Sequence, residues 1–142
     1  MKIKEQVLSR EQMARLVELG VDTSDASMAW SMSPNTNQWK IKVKDNFAHE
    51  LLLMFSPERY IPTYTTGDLF RKLPSSLKCD YLNSRIAIRT DGCDDPLISA
   101  SYEFEYNDIK GKQVGDTIEE ALYNLLCWVA ENHKELLEVK ND

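Results

Sequence analysis

The stretch that decides the fold is residues 115–132, which read GDTIEEALYNLLCWVAEN. Thr117 is placed to cap a helix, and Glu120, three residues later, completes the sequence pattern of a capping box. The apolar residues that follow at helical spacing cover much more than one narrow stripe; they are Ile118, Ala121, Leu122, Leu125, Leu126, Trp128 and Val129. A helix with so wide an apolar face requires a sheet to cover it rather than one neighbouring helix.

Two shorter helices are expected upstream. Residues 8–20 contain Ser9 as a helix cap, Gln12 as its capping-box partner and Gly20 as a left-handed stop. In residues 61–74, Pro62 keeps the preceding residue extended, and either Thr65 or Thr66 caps a short helix with Asp68 in its first turn. Pro74 ends that helix.

Alternation of apolar and polar residues predicts a β-hairpin with one apolar face in residues 28–44. Residues 28–32 read MAWSM, residues 39–44 read WKIKVK, and a turn-rich segment joins them. Lys40, Lys42 and Lys44 share one face of the second strand, where we expect them to face water and to protect a sheet edge from mispairing. A binding patch is the alternative interpretation of this lysine row.

Three more strands are expected at residues 77–81, 85–89 and 98–106, and the last has the cleanest alternation in the chain. Residues 107–115 are expected to turn the chain into the C-terminal helix. Residues 45–60 stay ambiguous, because the apolar run LLLMF fits a buried strand or a short helix equally well.

These elements predict an α+β fold in which an antiparallel sheet carries the long C-terminal helix and the shorter helices in two layers. We expect the hairpin and residues 98–106 to form the sheet under the helix. At 142 residues the chain fits one domain, 1–142, with residues 1–7 and 138–142 loose at its ends.

Composition disfavours several classes of function. The net charge is −6, with 23 acidic and 17 basic residues, so the basic footprint of a nucleic-acid binder is lacking. No apolar run approaches the ~20 residues of a membrane span. The N-terminus lacks the apolar core of a secretory signal, and the three cysteines are an odd number without a Cys-x-x-Cys pair. We therefore expect reduced thiols and a cytoplasmic location.

No catalytic, cofactor-binding or metal-binding residues are predicted. The two histidines, His49 and His133, and the three cysteines, Cys79, Cys93 and Cys127, have no metal-ligand spacing. Cys127 is more simply a small apolar residue of a helix core. The acidic residues Asp91, Asp94 and Asp95 surround Gly92, but position twelve counted from Asp91 is Tyr102, which does not close a calcium loop. Glycine-rich phosphate loops are also absent.

The aromatic residues have two interpretations. At strand and helix spacing they are typical of a core, whereas joint exposure would make them a protein-interaction patch or a ligand-stacking platform. The set comprises Trp30, Trp39, Tyr102, Phe104, Tyr106 and Trp128.

Three blocks, residues 11–28, 61–74 and 121–128, together resemble a family of small uncharacterised proteins from bacteriophages, prophages and gut Bacteroides-type genomes. The resemblance covers about half of the chain and implies a mobile-element origin, not an activity. The corner at residues 115–122, GDTIEEAL, is similar to the strand-to-helix corner of HicB-type antitoxins, which neutralise a small RNase. Here no separate DNA-binding segment follows the helix, and good helix capping produces the same letters.

Three functional hypotheses follow. The first is an accessory protein of phage or mobile-element type that binds another protein without catalysis, with a homo-oligomer as one form of partner. The second is an antitoxin-like inhibitor module. The third is a small enzyme with a site on the loops at 45–60 and 91–96, because functional groups concentrate on loops.

Overall fold

The structure is a computed structural model that describes residues 7–33, 35–44, 57–75, 77, 84–91, 97–104 and 108–137. The chain divides into two compact units, Met1–Asp68 and Leu69–Asp142. The described residues form two antiparallel three-stranded sheets and three α-helices, the longest of them near the C-terminus. The predicted α+β class with a long C-terminal helix is therefore confirmed. The single domain and its loose ends stay predictions.

The first unit contains helix α1 (Arg10–Glu18) and strands β1 (Met28–Met32), β2 (Trp39–Val43) and β3 (Tyr60–Thr63). β1 is the central strand and pairs antiparallel with β2 on one side and with β3 on the other. β1 and β2 form the predicted hairpin. Its loop contains Asn37 at φ 54°, a left-handed conformation that asparagine tolerates better than most residues.

The start of α1 is the predicted capping box. The Ser9 hydroxyl accepts a hydrogen bond from the Gln12 N–H at 3.1 Å, and the Gln12 side chain accepts one from the Ser9 N–H at 2.9 Å. Gly20, at φ 85°, follows the helix as the predicted left-handed stop. The local sequence alone therefore determines both ends of this helix.

Burial along β1 differs from the prediction. The hairpin was predicted to have one apolar face, but the small residues on the other face, Ala29 and Ser31, are the buried ones. The large apolar residues Met28, Trp30 and Met32 are only half-buried. Alternation identified the two faces correctly but did not identify the more buried one.

β3 was not predicted as a strand, although the expectation that the residue before Pro62 is extended is met. A short 3₁₀ turn, Pro57–Arg59, leads into it. Four residues with a central proline give too short an alternation to detect from sequence. Residues 45–56 lie outside the described residues, so the choice between strand and helix for the LLLMF run stays open.

Helix α2 (Thr66–Lys72) confirms the predicted short helix. Thr65 is its cap, because the Thr65 hydroxyl accepts the Asp68 N–H at 3.1 Å. The Asp68 carboxylate accepts the Thr65 N–H in return at 3.1 Å. The pair is a capping box in which aspartate takes the place of glutamate.

The second unit contains strands β4 (Ser84–Asp91), β5 (Leu97–Phe104) and β6 (Ile109–Gly115), followed by helix α3 (Ile118–Asn132). β5 is central and pairs antiparallel with β4 and β6. β4 and β5 confirm the strands predicted at 85–89 and 98–106. In the strand predicted at 77–81 only residue 77 is described, and residues 105–107 are likewise outside the described part.

The prediction that residues 107–115 form only a turn is wrong, because residues 109–115 are strand β6. Its two glycines, which resemble turn signals, instead make room for α3. Gly111 has φ +71°, and a Cβ there would lie 2.6 Å from a ring carbon of Trp128. A Cβ on Gly115 would lie 2.6 Å from the backbone nitrogen of Ala121. A register shift between β5 and β6 accompanies this close approach.

α3 begins at the predicted cap, where the Thr117 hydroxyl accepts the Glu120 N–H. The Glu120 carboxylate accepts the N–H of Asp116 at 3.1 Å rather than that of Thr117, so the second half of the predicted box is displaced by one residue. α3 packs on β5 and β6. Its predicted apolar face is buried except Ile118, which is exposed at the helix start, and Trp128, which is half-buried. A 3₁₀ turn, Lys134–Leu136, continues the chain.

The prediction that the hairpin and residues 98–106 build one sheet is wrong. Both hydrogen-bonding edges of β1 are occupied by β2 and β3, and both edges of β5 are occupied by β4 and β6. Each central strand therefore has both of its edges paired with strands of its own unit.

Candidate protein-interaction face

Three apolar cross-strand pairs lie side by side on one face of the first sheet: Met28 with Val43, Trp30 with Ile41, and Met32 with Trp39. Directly opposed residues of an antiparallel pair project to the same face and touch. We name these six residues the apolar ladder. Five of them are half-buried, and Val43 is 75% exposed. A contiguous apolar surface that remains partly in water is typical of a protein-binding face.

Trp30 is held in place by its polar edge. Its indole N–H donates to the Leu8 carbonyl at 2.9 Å, and the buried Thr63 hydroxyl donates to the same carbonyl at 2.7 Å. Thr63 lies opposite Met28 on β1 and so shares the face of the ladder. A tryptophan whose N–H is satisfied is a rigid apolar anchor that loses little conformational entropy when a partner binds.

Trp39, at the other end of the ladder, is covered by a cation. The guanidinium carbon of Arg10 lies 4.5 Å from the centroid of the Trp39 ring. A cation–π contact of this kind contributes about 0.5–1 kcal/mol at an exposed site. Arg10 is the first residue of α1, so the Ser9 capping box fixes its position. Tryptophan, methionine and arginine are enriched in protein interfaces, and all three occur here.

An open, mostly apolar groove of about 360 Å³ is lined by α1 and β3. Its walls include Ile61 and Pro62 on the strand and Val17, which is 59% exposed, on the helix. Ile61 lies opposite Trp30, and Arg10 lines the groove while stacking on Trp39. The groove therefore adjoins the apolar ladder.

A buried carboxylate fixes the connection between α1 and β1. One oxygen of Asp68 accepts the Ser27 N–H at 3.1 Å and the Ser27 hydroxyl at 2.6 Å, in addition to the Thr65 N–H at 3.1 Å. Asp68 is almost completely buried, so these bonds replace the water that its charge has lost. They attach the start of the hairpin to the start of α2.

Tyr64 makes a second attachment to the same connection. Its side chain is fully buried, and its hydroxyl donates to the Asp25 carboxylate at 2.7 Å and lies 3.0 Å from the Asp22 carbonyl oxygen. Burial raises the pKa of Tyr64 well above its ordinary value, and the nearby carboxylates, Asp25 first, raise it further. The neutral phenol is therefore a structural hydrogen-bond donor and not an acid for catalysis at neutral pH.

Two lysines of the row, Lys40 and Lys42, lie on β2, which is the outer strand of this sheet among the described residues. Lys40 and Lys42 are exposed on the face opposite the apolar ladder. Lys44 is half-buried, and its ammonium group donates to the Ser24 carbonyl. Lys40 and Lys42 therefore point to the face opposite Trp39, the tryptophan of β2.

The predicted aromatic residues are divided between the two units. Trp30 and Trp39 belong to the ladder in the first unit, whereas Tyr102 and Phe104 are buried on β5. The Tyr102 hydroxyl donates to the Pro74 carbonyl at 2.6 Å, and burial raises the pKa of Tyr102. Trp128 covers Gly111, and Tyr106 lies outside the described residues. The core interpretation therefore fits the β5 residues, and the patch interpretation fits the two ladder tryptophans.

Few of the residues weighed for chemistry are described. Cys127 is half-buried on α3, and the ring of His133 lies 5.1 Å from that of Trp128, at the end of the same helix. Asp91 is the last residue of β4. The remaining residues weighed for chemistry, which are His49, Cys79, Cys93, Asp94 and Asp95, lie outside the described residues.

An ion-pair cluster lies on the second sheet. The Arg89 side chain donates to the Glu103 carboxylate at 2.5 Å, and Arg85 is 3.9 Å from its other oxygen. The hydrogen bond from Arg89 lowers the pKa of Glu103. Both arginines are largely in solvent, so this cluster is a surface network across strands β4 and β5.

Within the described ranges, no group of three or more His, Cys, Asp or Glu side chains is arranged to hold a metal ion. No helix among the described residues is long and apolar enough to cross a membrane. Comparisons with protein-family models, with curated proteins and with solved structures gave no match. The two resemblances found in the sequence therefore stay predictions.

The antitoxin-like corner has a local physical explanation. Gly115 is required because of the close approach of Ala121, Thr117 is the cap, and Glu120 satisfies the N–H of Asp116. These contacts account for the letters G-D-T-x-x-E through helix capping alone.

Proposed function

We propose that this chain is an accessory protein of phage or mobile-element type that binds another protein through the apolar ladder and does not catalyse a reaction. The observation that carries the proposal is the ladder itself: six contiguous apolar side chains, none of them buried, with Val43 75% exposed. Covering this surface removes apolar area from water at about 25 cal/mol per Å². The phage or mobile-element origin rests on the sequence resemblance, and the gene neighbourhood tests it.

The composition of the ladder supports a protein as the partner. Two tryptophans and two methionines provide large, polarisable contact surface, and the Arg10 guanidinium lies over one of the indoles. Interface energy concentrates in such residues, especially where they are held in place before binding. Trp30 is held by Leu8 and Trp39 by Arg10. Three cysteines, an odd number, support a cytoplasmic location for the encounter.

The competing hypotheses have weaker support. The enzyme hypothesis placed a site at residues 45–60 and 91–96, of which only 57–60 and 91 are described. The antitoxin hypothesis rests on a corner that helix capping explains. Neither has a feature in the described residues comparable to the ladder.

Affinity capture with a matched pair of variants tests the proposal. Val43→Glu places a charge on the ladder, and Val114→Glu places the same charge on β6, where Val114 is 45% exposed. Both positions are exposed valines of strands, so both variants should fold, as circular dichroism and thermal unfolding would verify. The wild-type chain and the two variants are immobilised and exposed to a lysate of the native host at native concentration.

The proposal expects a protein that the wild type and Val114→Glu retain and that Val43→Glu loses by at least about tenfold, which corresponds to ~1.4 kcal/mol. Titration calorimetry with that purified protein must reproduce the ranking. Retention of the same proteins by all three chains would contradict the proposal, as would retention of none by the wild type.

A further inference from the structure

The hydrogen bonds of the hairpin show which backbone groups of β2 point away from β1. The Lys44 N–H donates to the Ser27 carbonyl, on the β1 side, at 3.0 Å. Because backbone groups of a strand alternate in direction, Lys42 and Lys40 also point their N–H and C=O groups toward β1. Trp39, Ile41 and Val43 therefore direct theirs outward, and in the described part of the chain β2 is the outer strand of this sheet.

The opposite edge of the sheet is different. The alternation that directs Ala29 toward β2 directs Trp30 toward β3, where it pairs with Ile61. Pro62, the next residue on β3, therefore has its ring nitrogen on the outer side. Proline has no N–H to donate, so this edge lacks one of the donors that an added strand would need. The edge of β2 contains no proline.

The charged residues along the β2 edge are all positive. Residues 26–44 contain three lysines and no acidic residue, in a chain of net charge −6. Lys40 and Lys42 are exposed, and with respect to an added antiparallel strand they occupy non-hydrogen-bonded positions. Side chains of such pairs are closer together than those of hydrogen-bonded pairs, so opposite charges attract strongly there and like charges repel.

We propose that the outer edge of β2 binds an extended segment of the partner as an added antiparallel strand, in which acidic and apolar residues alternate. The acidic residues oppose Lys40 and Lys42, and the apolar residues oppose Trp39, Ile41 and Val43. Each cross-strand pair of the apolar ladder thereby gains a third apolar side chain beside it. The outward N–H and C=O groups of β2 gain hydrogen-bond partners on the added strand. This inference rests on the proposed function and specifies the chemistry of its partner.

The same geometry disfavours a second copy of the chain at this edge. An antiparallel pair of β2 strands centred on Ile41 places Lys40 of each copy opposite Lys42 of the other. Two like-charged pairs at non-hydrogen-bonded positions oppose that dimer. The lysine row therefore selects partners by charge, which extends its predicted role in preventing mispairing.

Three synthetic peptides test the proposal, each nine residues long, acetylated and amidated. The first alternates valine and glutamate, and the second alternates valine and lysine. The third has the first sequence with N-methyl groups on its valines, whose N–H groups face β2 when the valines oppose Trp39, Ile41 and Val43. Binding is followed by the amide NMR shifts of ¹⁵N-labelled full-length protein, for the wild type and for Lys40→Glu/Lys42→Glu.

The expected result is that the wild type binds the glutamate peptide at least about tenfold more tightly than the lysine peptide, with shifts centred on Trp39, Ile41 and Val43. The double variant should reverse this preference. N-methylation of the valines should abolish binding, because it removes the donors that face β2. Because Lys40 and Lys42 are both exposed, the double variant should fold. A second variant, Lys40→Gln/Lys42→Gln, should remove the preference without reversing it.

The proposal is overturned if no peptide shifts the β2 amides at millimolar concentration, or if the double variant keeps the wild-type preference. The proposed function survives that result if capture still depends on Val43, because the partner then uses the ladder without adding a strand. If Val43→Glu also has no effect on capture, both proposals fail.

Discussion

The central strand of the second sheet and the apolar ladder of the first sheet differ in how deeply their apolar residues are buried. In the second unit, β5 places Ala100, Tyr102 and Phe104 on one face, and all three are buried. The helix α3 packs on β5 and β6 with its own apolar residues buried. In the first unit, the six residues of the apolar ladder are at most half-buried, although they are as apolar as those of β5.

Both units bury apolar side chains, so the difference lies in what covers each sheet. The second sheet is covered by the long helix α3, which packs on β5 and β6. The connection to the first sheet is fixed by buried polar groups, namely the Asp68 carboxylate on Ser27 and the Tyr64 hydroxyl on Asp25. These directional polar contacts hold the backbone in place without burying the apolar ladder. That leaves the ladder available for a partner.

The largest effect is expected in the helix that covers the second sheet. Leu125→Ala removes a fully buried side chain of α3 and should lower the free energy of unfolding by about 3 kcal/mol. Val43→Ala, on the ladder, should change it by less than about 0.5 kcal/mol. Urea unfolding of both variants measures the contrast, and equal losses would show that the ladder is core.

Asp68→Ala should be the most damaging change to the polar contacts of the first unit. It leaves the Ser27 and Thr65 N–H groups without their acceptor, which costs about 2–3 kcal/mol. Asp116→Ala changes an exposed aspartate and is the control. Denaturant unfolding that finds the two variants equally stable would refute the role assigned to the buried carboxylate.

Tyr64→Phe should cost about 1 kcal/mol near neutral pH and should also change the alkaline limb of stability. The pKa of Tyr64 is raised in the folded state, so the stability it contributes is complete below the unfolded pKa of about 10 and is lost as pH rises above it. The wild type should therefore lose more stability than Tyr64→Phe between about pH 9 and pH 11. Tyr102 is present in both chains, so the difference between their curves of stability against pH reports the ionisation of Tyr64. Parallel curves would contradict the role assigned to the Tyr64 hydroxyl.

The smallest effect is expected at the surface ion pair of the second sheet. Because the pKa of Glu103 is lowered in the folded state, its contribution is present above the unfolded pKa of about 4.3 and is lost as pH falls through the lower folded value. Glu103→Gln should flatten the loss of stability below about pH 4.5, most clearly at low salt. Identical acid limbs for the two chains would mean that the pair contributes nothing measurable.

Local chemistry allowed several elements to be predicted from the sequence. The Ser9 and Thr117 caps set the starts of α1 and α3, and period-two alternation gave the hairpin its strands. The relevant interactions span three or four residues, so the sequence contains them directly.

The features that could not be predicted from the sequence depend on contacts between residues far apart in the chain. Gly111 resembles a turn residue until Trp128 is placed against it, so β6 was missed. Thr65 and Asp68 suggested a capped helix, but the bond from Ser27 to Asp68 joins residues 41 positions apart. The half-exposure of the ladder depends likewise on which elements cover each face. Alternation in the sequence predicts which residues share a face, but not which element packs on that face.

The central claim is that the apolar ladder is accessible in the folded protein while the face under α3 is not. Cysteine labelling tests it most directly, with Val43→Cys and Leu125→Cys each introduced into a chain whose three natural cysteines are replaced by alanine. A maleimide reagent should label Val43→Cys in the native protein within roughly tenfold of its rate in denaturant, and Leu125→Cys at least roughly a hundredfold more slowly. Strong protection of Val43→Cys in the isolated native chain would contradict the account.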